Sequence, residues 1–250
     1  MITQDIFNTV VNHLQQQGYI MLRDVTYCED ALITQHKSVD HFMEPRFAAA
    51  YARGKATGSW GNNDLRWRAH VICRAAEQAF RLDGDFVECG VNRGGLSLTV
   101  ITYLNFADTA KRFYLLDTFS GLAPELVSDQ EKASGLLDFN QTYSDCYTDV
   151  CKTFAAFSNV SIIKGKVPDT LPQVDSKRIA YLSIDMNCTL PEIAAIEYFW
   201  EKLVPGAMVV LDDYGWLQHQ EQRQAFDSFA AAHGSSILHL PTGQGVMIRQ

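Results

Sequence analysis

The chain has 250 residues, of which 47% are hydrophobic and 20% charged, and its formal net charge is −8. This balance excludes disordered, collagenous or coiled-coil chains and is enough for one sizeable core. The acidic excess, with no run of Lys and Arg, argues against nucleic acid as a partner.

The first five residues, Met-Ile-Thr-Gln-Asp, have no basic flank and no apolar centre, so no secretory signal is expected. The longest nearly unbroken apolar stretch, residues 203–211, contains Pro205 and Gly206. It is far shorter than the ~20 residues a membrane-spanning helix needs. The six cysteines (Cys28, Cys73, Cys89, Cys146, Cys151 and Cys188) form no C-x-x-C pair. They read as reduced structural thiols in segments that look buried, and a cytoplasmic location is expected.

Residues 1–80 read as an N-terminal helical segment or lid, and 81–250 as the main domain. Ile6, Val10, Val11 and Leu14 share one helical face, with Gly18 as a stop. A second amphipathic run covers 30–42. Gly54, Gly58 and Gly61 suggest a flexible stretch, and Asp64 a cap for a helix reaching Phe80. Arg46, Tyr51, Trp60, Arg66, Trp67 and Arg68 in this part suit a mobile lid over a sugar or aromatic acceptor. Packing is the plainer reading, and it is preferred for Trp67.

After Gly84 the pattern changes. Short apolar runs at 86–89, 113–116, 160–163, 179–184 and 208–211 alternate with helical segments such as 191–203. Buried strands alternating with helices imply a parallel, doubly wound α/β sheet. The runs 237–240 and 246–248 are joined only by Pro-Thr-Gly-Gln-Gly. A parallel crossover needs a dozen or more residues, so this last pair is an antiparallel hairpin. That order suits an S-adenosylmethionine (SAM)-dependent methyltransferase better than a dinucleotide dehydrogenase, for whose substrate domain no chain remains.

Three motifs could carry chemistry. Val87-Glu88-Cys89-Gly90-Val91-Asn92-Arg93-Gly94-Gly95 lies at a strand-to-helix turn, where glycines let the backbone approach a ligand. Its spacing, G-x-x-x-G-G, is not the pyrophosphate pattern G-x-G-x-x-G, and Glu88 favours a cationic ligand such as a sulfonium. Asp117 ends the next strand in Leu-Leu-Asp-Thr-Phe, where an acid can accept both ribose hydroxyls of an adenosine cofactor. Asp185 and the pair Asp212-Asp213 end two further strands. Three converging carboxylates repel unless a cation or proton sits among them, and oxygen ligands suit Mg²⁺. The plainer readings are a ligand-free glycine turn and N-caps for the loops that follow.

Together, Val-Glu-Cys-Gly-Val-x-Arg-Gly-Gly, Asp-Thr-Phe-Ser-Gly-Leu, Gly-Lys-Val-Pro-Asp-Thr-Leu-Pro, Ile-Asp-Met-Asn and Leu-Asp-Asp-Tyr-Gly resemble the macrocin O-methyltransferase family from about Asp85 onward. The resemblance implies a class I SAM methyltransferase fold, a Mg²⁺ site and methylation of a hydroxyl, usually on a deoxysugar of an antibiotic. It implies that Glu88, Gly90 and Gly94 line the methionine end of SAM and that Asp117 holds the ribose. Val91, Arg93, Thr118, Phe119, Gly165 and Asp185 complete the candidate cofactor set. Asp185, Asp212 and Asp213 are the candidate metal ligands. The family often reads Asp-Gly-Asp where this chain has Asp185-Met186-Asn187. The second acid there is a proposed general base, and Asn187 cannot accept a proton at neutral pH. His219, six residues after Asp213, is the candidate replacement, with Asp185 and Asn187 beside it in the catalytic set. A solvent-facing loop histidine is the plainer reading. The expected acceptor is a small molecule bearing a sugar hydroxyl, and the protein is expected to be a homo-oligomer. A SAM-binding scaffold without turnover is the alternative that Asn187 permits.

Overall fold

The computed structural model describes residues 3–250. The elements in chain order are α1 (Gln4–Gln16), β1 (Val25–Glu29), β2 (Leu32–Gln35), α2 (Pro45–Lys55), α3 (Arg66–Ala79), β3 (Asp85–Cys89) and α4 (Gly95–Leu104). They continue with β4 (Phe113–Asp117), α5 (Asp129–Ala133), α6 (Leu136–Phe139), α7 (Tyr147–Phe154), β5 (Val160–Lys164) and β6 (Ile179–Ile184). The chain then runs through α8 (Thr189–Trp200), β7 (Leu203–Leu211), α9 (Gln220–Ala232), β8 (Leu238–His239) and β9 (Gly245–Ile248).

Seven strands form the main sheet in the order β5-β4-β3-β6-β7-β9-β8. The first five are parallel, and β9 runs antiparallel to both β7 and β8. This is the doubly wound sheet with a closing hairpin that the alternating pattern predicts. β3, β4 and β6 are buried along almost their whole length, which is why they read as continuous apolar runs.

Strand order reverses between β3 and β6, the switch point at which ligands bind in open α/β sheets. Cys89 pairs with Leu116 of β4 and with Ile184 of β6, and Ile184 pairs with Leu211 of β7. The next residue on each strand therefore falls in one row at the carboxyl edge: Asp117, Gly90, Asp185 and Asp212. Residues up to 95 positions apart in the sequence become neighbours by register alone.

The N-terminal region is only partly helical. The run 30–42 is not a helix. Asp30 and Ala31, with φ of +53° and +56°, form the two-residue turn of a hairpin in which Glu29 pairs with Leu32. Positive φ at both central residues is the geometry of a tight hairpin turn, not of a right-handed helix. The Arg68 guanidinium grips the Asp30 carboxylate at 2.7 Å through two nitrogens, a long-range contact that local periodicity cannot register. Gly54 is also not part of a flexible stretch. It lies in α2, buried against α4, where a Cβ would come within 2.5 Å of the Gly95 carbonyl. Asp64 does serve the start of α3: its Oδ1 accepts the Arg66 N–H at 3.0 Å.

α1 forms with Gly18 just beyond it, yet it buries no residue. Ile6, Phe7 and Val10 are exposed, as are Tyr19, Ile20, Met21 and Leu22 after them. Not all cysteines are buried either: Cys28 is exposed and Cys151 half-buried. Among the described residues, no helix is long and apolar enough to cross a membrane.

Candidate functional site

Two adjoining cavities open at the carboxyl edge of the sheet. The first is lined by Gly90, Asp117, Thr118, Phe119, Gly165 and Asp185, among others. The second is lined by Glu88, Gly90, Val91, Asp185, Asp212, Asp213 and His219, and by Trp60, Arg68 and Trp216. Gly90, Asn92, Tyr143, Asp185 and Asn187 line both. Arg93 and Gly94, expected beside a cofactor, line neither. Arg93 reaches away to the Ser144 hydroxyl at 3.0 Å, and Gly94 packs on the Phe154 ring.

The turn glycines are demanded by the fold as much as by any ligand. Gly90 has φ +90°, and a Cβ there would sit 1.8 Å from the Asp185 carbonyl oxygen. Asp117 is likewise partly committed. Its Oδ2 accepts the N–H groups of Val91 (2.5 Å) and Asn92 (2.7 Å), and its Oδ1 accepts that of Phe119 (2.6 Å). A carboxylate has about four lone-pair sites. Three backbone donors and, at 3.3 Å, the Thr118 hydroxyl surround its two oxygens, so Asp117 is engaged by the turn before any ribose hydroxyl reaches it. Asp117→Ala should weaken SAM binding by roughly 2 kcal/mol, since an ionised acceptor is lost. It should also lower Tm, because the clamp on the 90–95 turn goes with it. Calorimetry and thermal melts read the two effects separately.

Asp185, Asp212 and Asp213 bring carboxylate oxygens within 4.8 Å of one another. At that range each like-charge pair costs about 4 kcal/mol at an effective dielectric constant near 20. Arg68 offsets part of this. It donates to Asp212 Oδ2 at 2.5 Å, while Gln244 Nε2 donates to Asp212 Oδ1 at 2.9 Å. Arg68 also grips Asp30, so its single positive charge is shared between two carboxylates and leaves the cluster in excess of negative charge. Burial, then the neighbouring carboxylates, push Asp213 up to about 7 and hold Asp185 well above the usual carboxylate range. Asp213 Oδ2 is buried with no hydrogen-bond partner. An all-oxygen set, more carboxylates than cationic partners and an orphaned oxygen fit a hard divalent cation.

Glu88 is also buried, and burial first, then Asp212 and Asp117, push it up to about 8. Its surroundings therefore favour the protonated form. Asn187 takes the left-handed conformation (φ +57°), and its Nδ2 lies 3.4 Å from Asp185 Oδ1.

His219 is not on a solvent-facing loop. It is buried at the start of α9 and lines the cavity that holds the three aspartates. Burial lowers its pKa below the ordinary histidine value, with Glu131 and Gln222 acting in the opposite sense.

Most of the supposed lid residues are structural. Arg46 pairs with Glu77 and stacks on Tyr103, Arg66 pairs with Asp64, and Tyr51 bonds Asp64 and Leu65. Trp67 packs among His41, Phe42 and His70. Of the six, Trp60 and Arg68 face the cavity. Sequence reasoning missed Glu192, Gln222, Gln244 and Tyr143. The one available signal was an acid, Glu192, inside the otherwise apolar start of α8.

The fold and these motifs have close parallels. The chain is 31% identical over 139 residues to the 8-demethyl-8-(2,3-dimethoxy-alpha-L-rhamnosyl)-tetracenomycin-C 4'-O-methyltransferase of Streptomyces olivaceus, covering 52% of this chain and 53% of that protein. It is 24% identical over 159 residues to the mycinamicin III 3''-O-methyltransferase of Micromonospora griseorubida, covering 59% of this chain and 62% of that protein. The chain thus spans little more than half the length of these curated relatives. Among solved structures, the O-methyltransferase NovP superposes with a TM-score of 0.64 at 20% identity, over 73% of this chain and 79% of the other. The calicheamicin methyltransferase CalS11 gives 0.56 at 15% identity, over 85% and 94%. At such identities these two speak for the fold, a class I SAM methyltransferase architecture. Residues 55–239 match the Macrocin-O-methyltransferase (TylF) family, a stretch that takes in the glycine turn, all three aspartates and His219. With nearly three quarters of its length so matched, the chain belongs to that family.

Proposed function

We propose that this protein is a SAM-dependent, Mg²⁺-dependent O-methyltransferase acting on a hydroxyl of a small molecule, a sugar or a glycosylated metabolite. The observation that carries this is the placing of a buried histidine and three clustered carboxylates in one cavity, next to a second cavity edged by Gly90 and Asp117. The named activities of the relatives in Streptomyces olivaceus and Micromonospora griseorubida support it.

On this reading Asp117, Gly90, Thr118, Phe119 and Gly165 hold the adenosine end of SAM, and Glu88 faces its sulfonium. When bound, SAM would supply the methyl group, with S-adenosylhomocysteine as the other product. Asp185, Asp212 and Asp213 hold the divalent cation, which supplies Lewis acidity toward the acceptor hydroxyl. His219 takes the hydroxyl proton, so that the acceptor oxygen gains a methyl as its O–H bond breaks. Asn187 orients the acceptor by hydrogen bonding. Trp60 and Trp216 offer flat apolar walls that exclude water and position the acceptor. Positioning supplies much of the rate, because a sulfonium is already a good leaving group.

The same reading makes the protein a cytoplasmic homo-oligomer, with neither nucleic acid nor membrane as partner. The unburied apolar residues Ile6, Phe7 and Val10 of α1 support self-association. The test is methyl transfer from labelled SAM to a panel of glycosylated acceptors, with and without Mg²⁺. Label should move to acceptor only with the cation present. SAM binding without transfer to any acceptor would favour the scaffold reading, and tight NAD binding without SAM binding would sink both.

A further inference from the structure

Arg68 stands between two carboxylates that lie far apart in the chain. On one side its Nε and Nη2 donate to Asp30 Oδ2 and Oδ1, both at 2.7 Å. On the other its Nη1 donates to Asp212 Oδ2 at 2.5 Å. The Arg68 and Asp30 side chains are only 16% and 9% exposed, so water competes little for these bonds. Asp30 sits at the tip of the β1–β2 hairpin and lines neither cavity.

Asp212 is held a second time from the far side. Its Oδ1 accepts from Gln244 Nε2 at 2.9 Å. Thr242 Oγ1 donates to Gln244 Oε1 at 2.9 Å, which aims the amide NH₂ at Asp212. Each Asp212 oxygen thus has one donor. A carboxylate offers about four lone-pair sites over its two oxygens, so one site on each oxygen stays available to a cation.

The direction of the Arg68 fork decides whether that remains so. A guanidinium carries its donors in a rigid plane, and beside a single carboxylate it commonly pairs through two parallel N–H bonds. Here the edge formed by Nε and Nη2 is spent on Asp30, and Asp212 receives a single bond from Nη1. Without Asp30 the guanidinium is free to turn a paired edge onto Asp212 and close it as an ion pair.

We infer that Asp30 is a positioning residue for the metal site: by holding the paired edge of Arg68 it keeps Asp212 open to the divalent cation. This rests on the assignment of Asp185, Asp212 and Asp213 as metal ligands and extends it to the N-terminal hairpin.

The test is calorimetric titration of metal-free protein with Mg²⁺, with no acceptor present. Asp30→Asn and Asp30→Gly both suit the left-handed backbone at this position, where φ is +53°. Asn keeps one acceptor oxygen for Arg68 and Gly keeps none. Mg²⁺ affinity should fall on the order of 10-fold in Asp30→Gly and less in Asp30→Asn, while SAM affinity changes less than about twofold. Adding Arg68→Met to Asp30→Gly should return most of the lost Mg²⁺ affinity, because no guanidinium is left to close Asp212. A contact that only fastens the hairpin predicts a lower Tm with unchanged Mg²⁺ affinity in both Asp30 variants, and that result would overturn the inference. So would a double variant that binds Mg²⁺ no better than Asp30→Gly. Wild-type protein that binds no Mg²⁺ would remove the three-carboxylate assignment itself, and the inference with it.

Discussion

Asp213→Asn should abolish most methyl transfer while leaving SAM affinity within about threefold, and it should do so without unfolding the protein. The two aspartates of the Asp212-Asp213 pair differ in what the protein asks of them. Asp212 is held by Arg68 and Gln244, so Asp212→Asn also removes one of the two carboxylates paired with the buried Arg68 guanidinium, Asp30 being the other. Breaking a buried ion pair from one side costs about 3–5 kcal/mol; with Asp30 still in place Asp212→Asn should lose turnover and a smaller amount of stability. Asp213 Oδ2 has no protein partner, and its ionised form is opposed by burial and by Asp212. Its neutral amide should therefore leave the metal-free Tm unchanged or higher.

The pH dependence follows in sign. The folded pKa of Asp213, about 7, lies above its ordinary value, so the metal-free fold holds a proton that the unfolded chain has released. Stability then falls as pH rises between about 4 and 7, and Asp213→Asn should flatten that slope. Activity of the wild type should vanish with a chelator and return with Mg²⁺. Full turnover by a metal-free preparation in excess EDTA would contradict the three-carboxylate assignment.

The second large effect is expected at His219. His219→Ala should lower kcat by on the order of 10²–10⁴ with little change in SAM affinity, because the base touches the acceptor and not the cofactor. The wild-type rate should rise with pH through the His219 pKa, which burial places below the ordinary 6.5, and then level off. The variant should lack that acidic limb. If the limb persists unchanged in His219→Ala, another group is the base. Asp185, beside Asn187 and in the same cavity, is then the one to test.

Which parts of this protein the chain could announce by itself follows from the range of the interactions involved. The five parallel strands and the closing hairpin were legible because apolar runs and turn length are local properties. Residues 179–184 are apolar but for Ser183 since both faces of β6 are covered, and five residues between β8 and β9 allow only a hairpin. Glu88, Asp117, Asp185 and the Asp212-Asp213 pair were legible as candidates because each follows or ends such a run, and a carboxylate at a strand end is conspicuous.

Contacts across the sheet and between distant segments were another matter. Register, not sequence, put Asp117, Gly90, Asp185 and Asp212 in one row. The Asp30 turn looked helical because its conformation is held by Arg68, 38 positions away. Asp117 looked free for two hydroxyls because the backbone donors of Val91 and Asn92 reach it only across neighbouring strands. His219 had no visible side in the sequence, since a loop histidine faces solvent or cavity according to where the following helix packs. Its burial depends on α9 lying against α8. Local periodicity determined which elements form; the long-range pairing of buried charges decided what they hold between them, because a buried ionisable group must find its partner wherever the fold brings one.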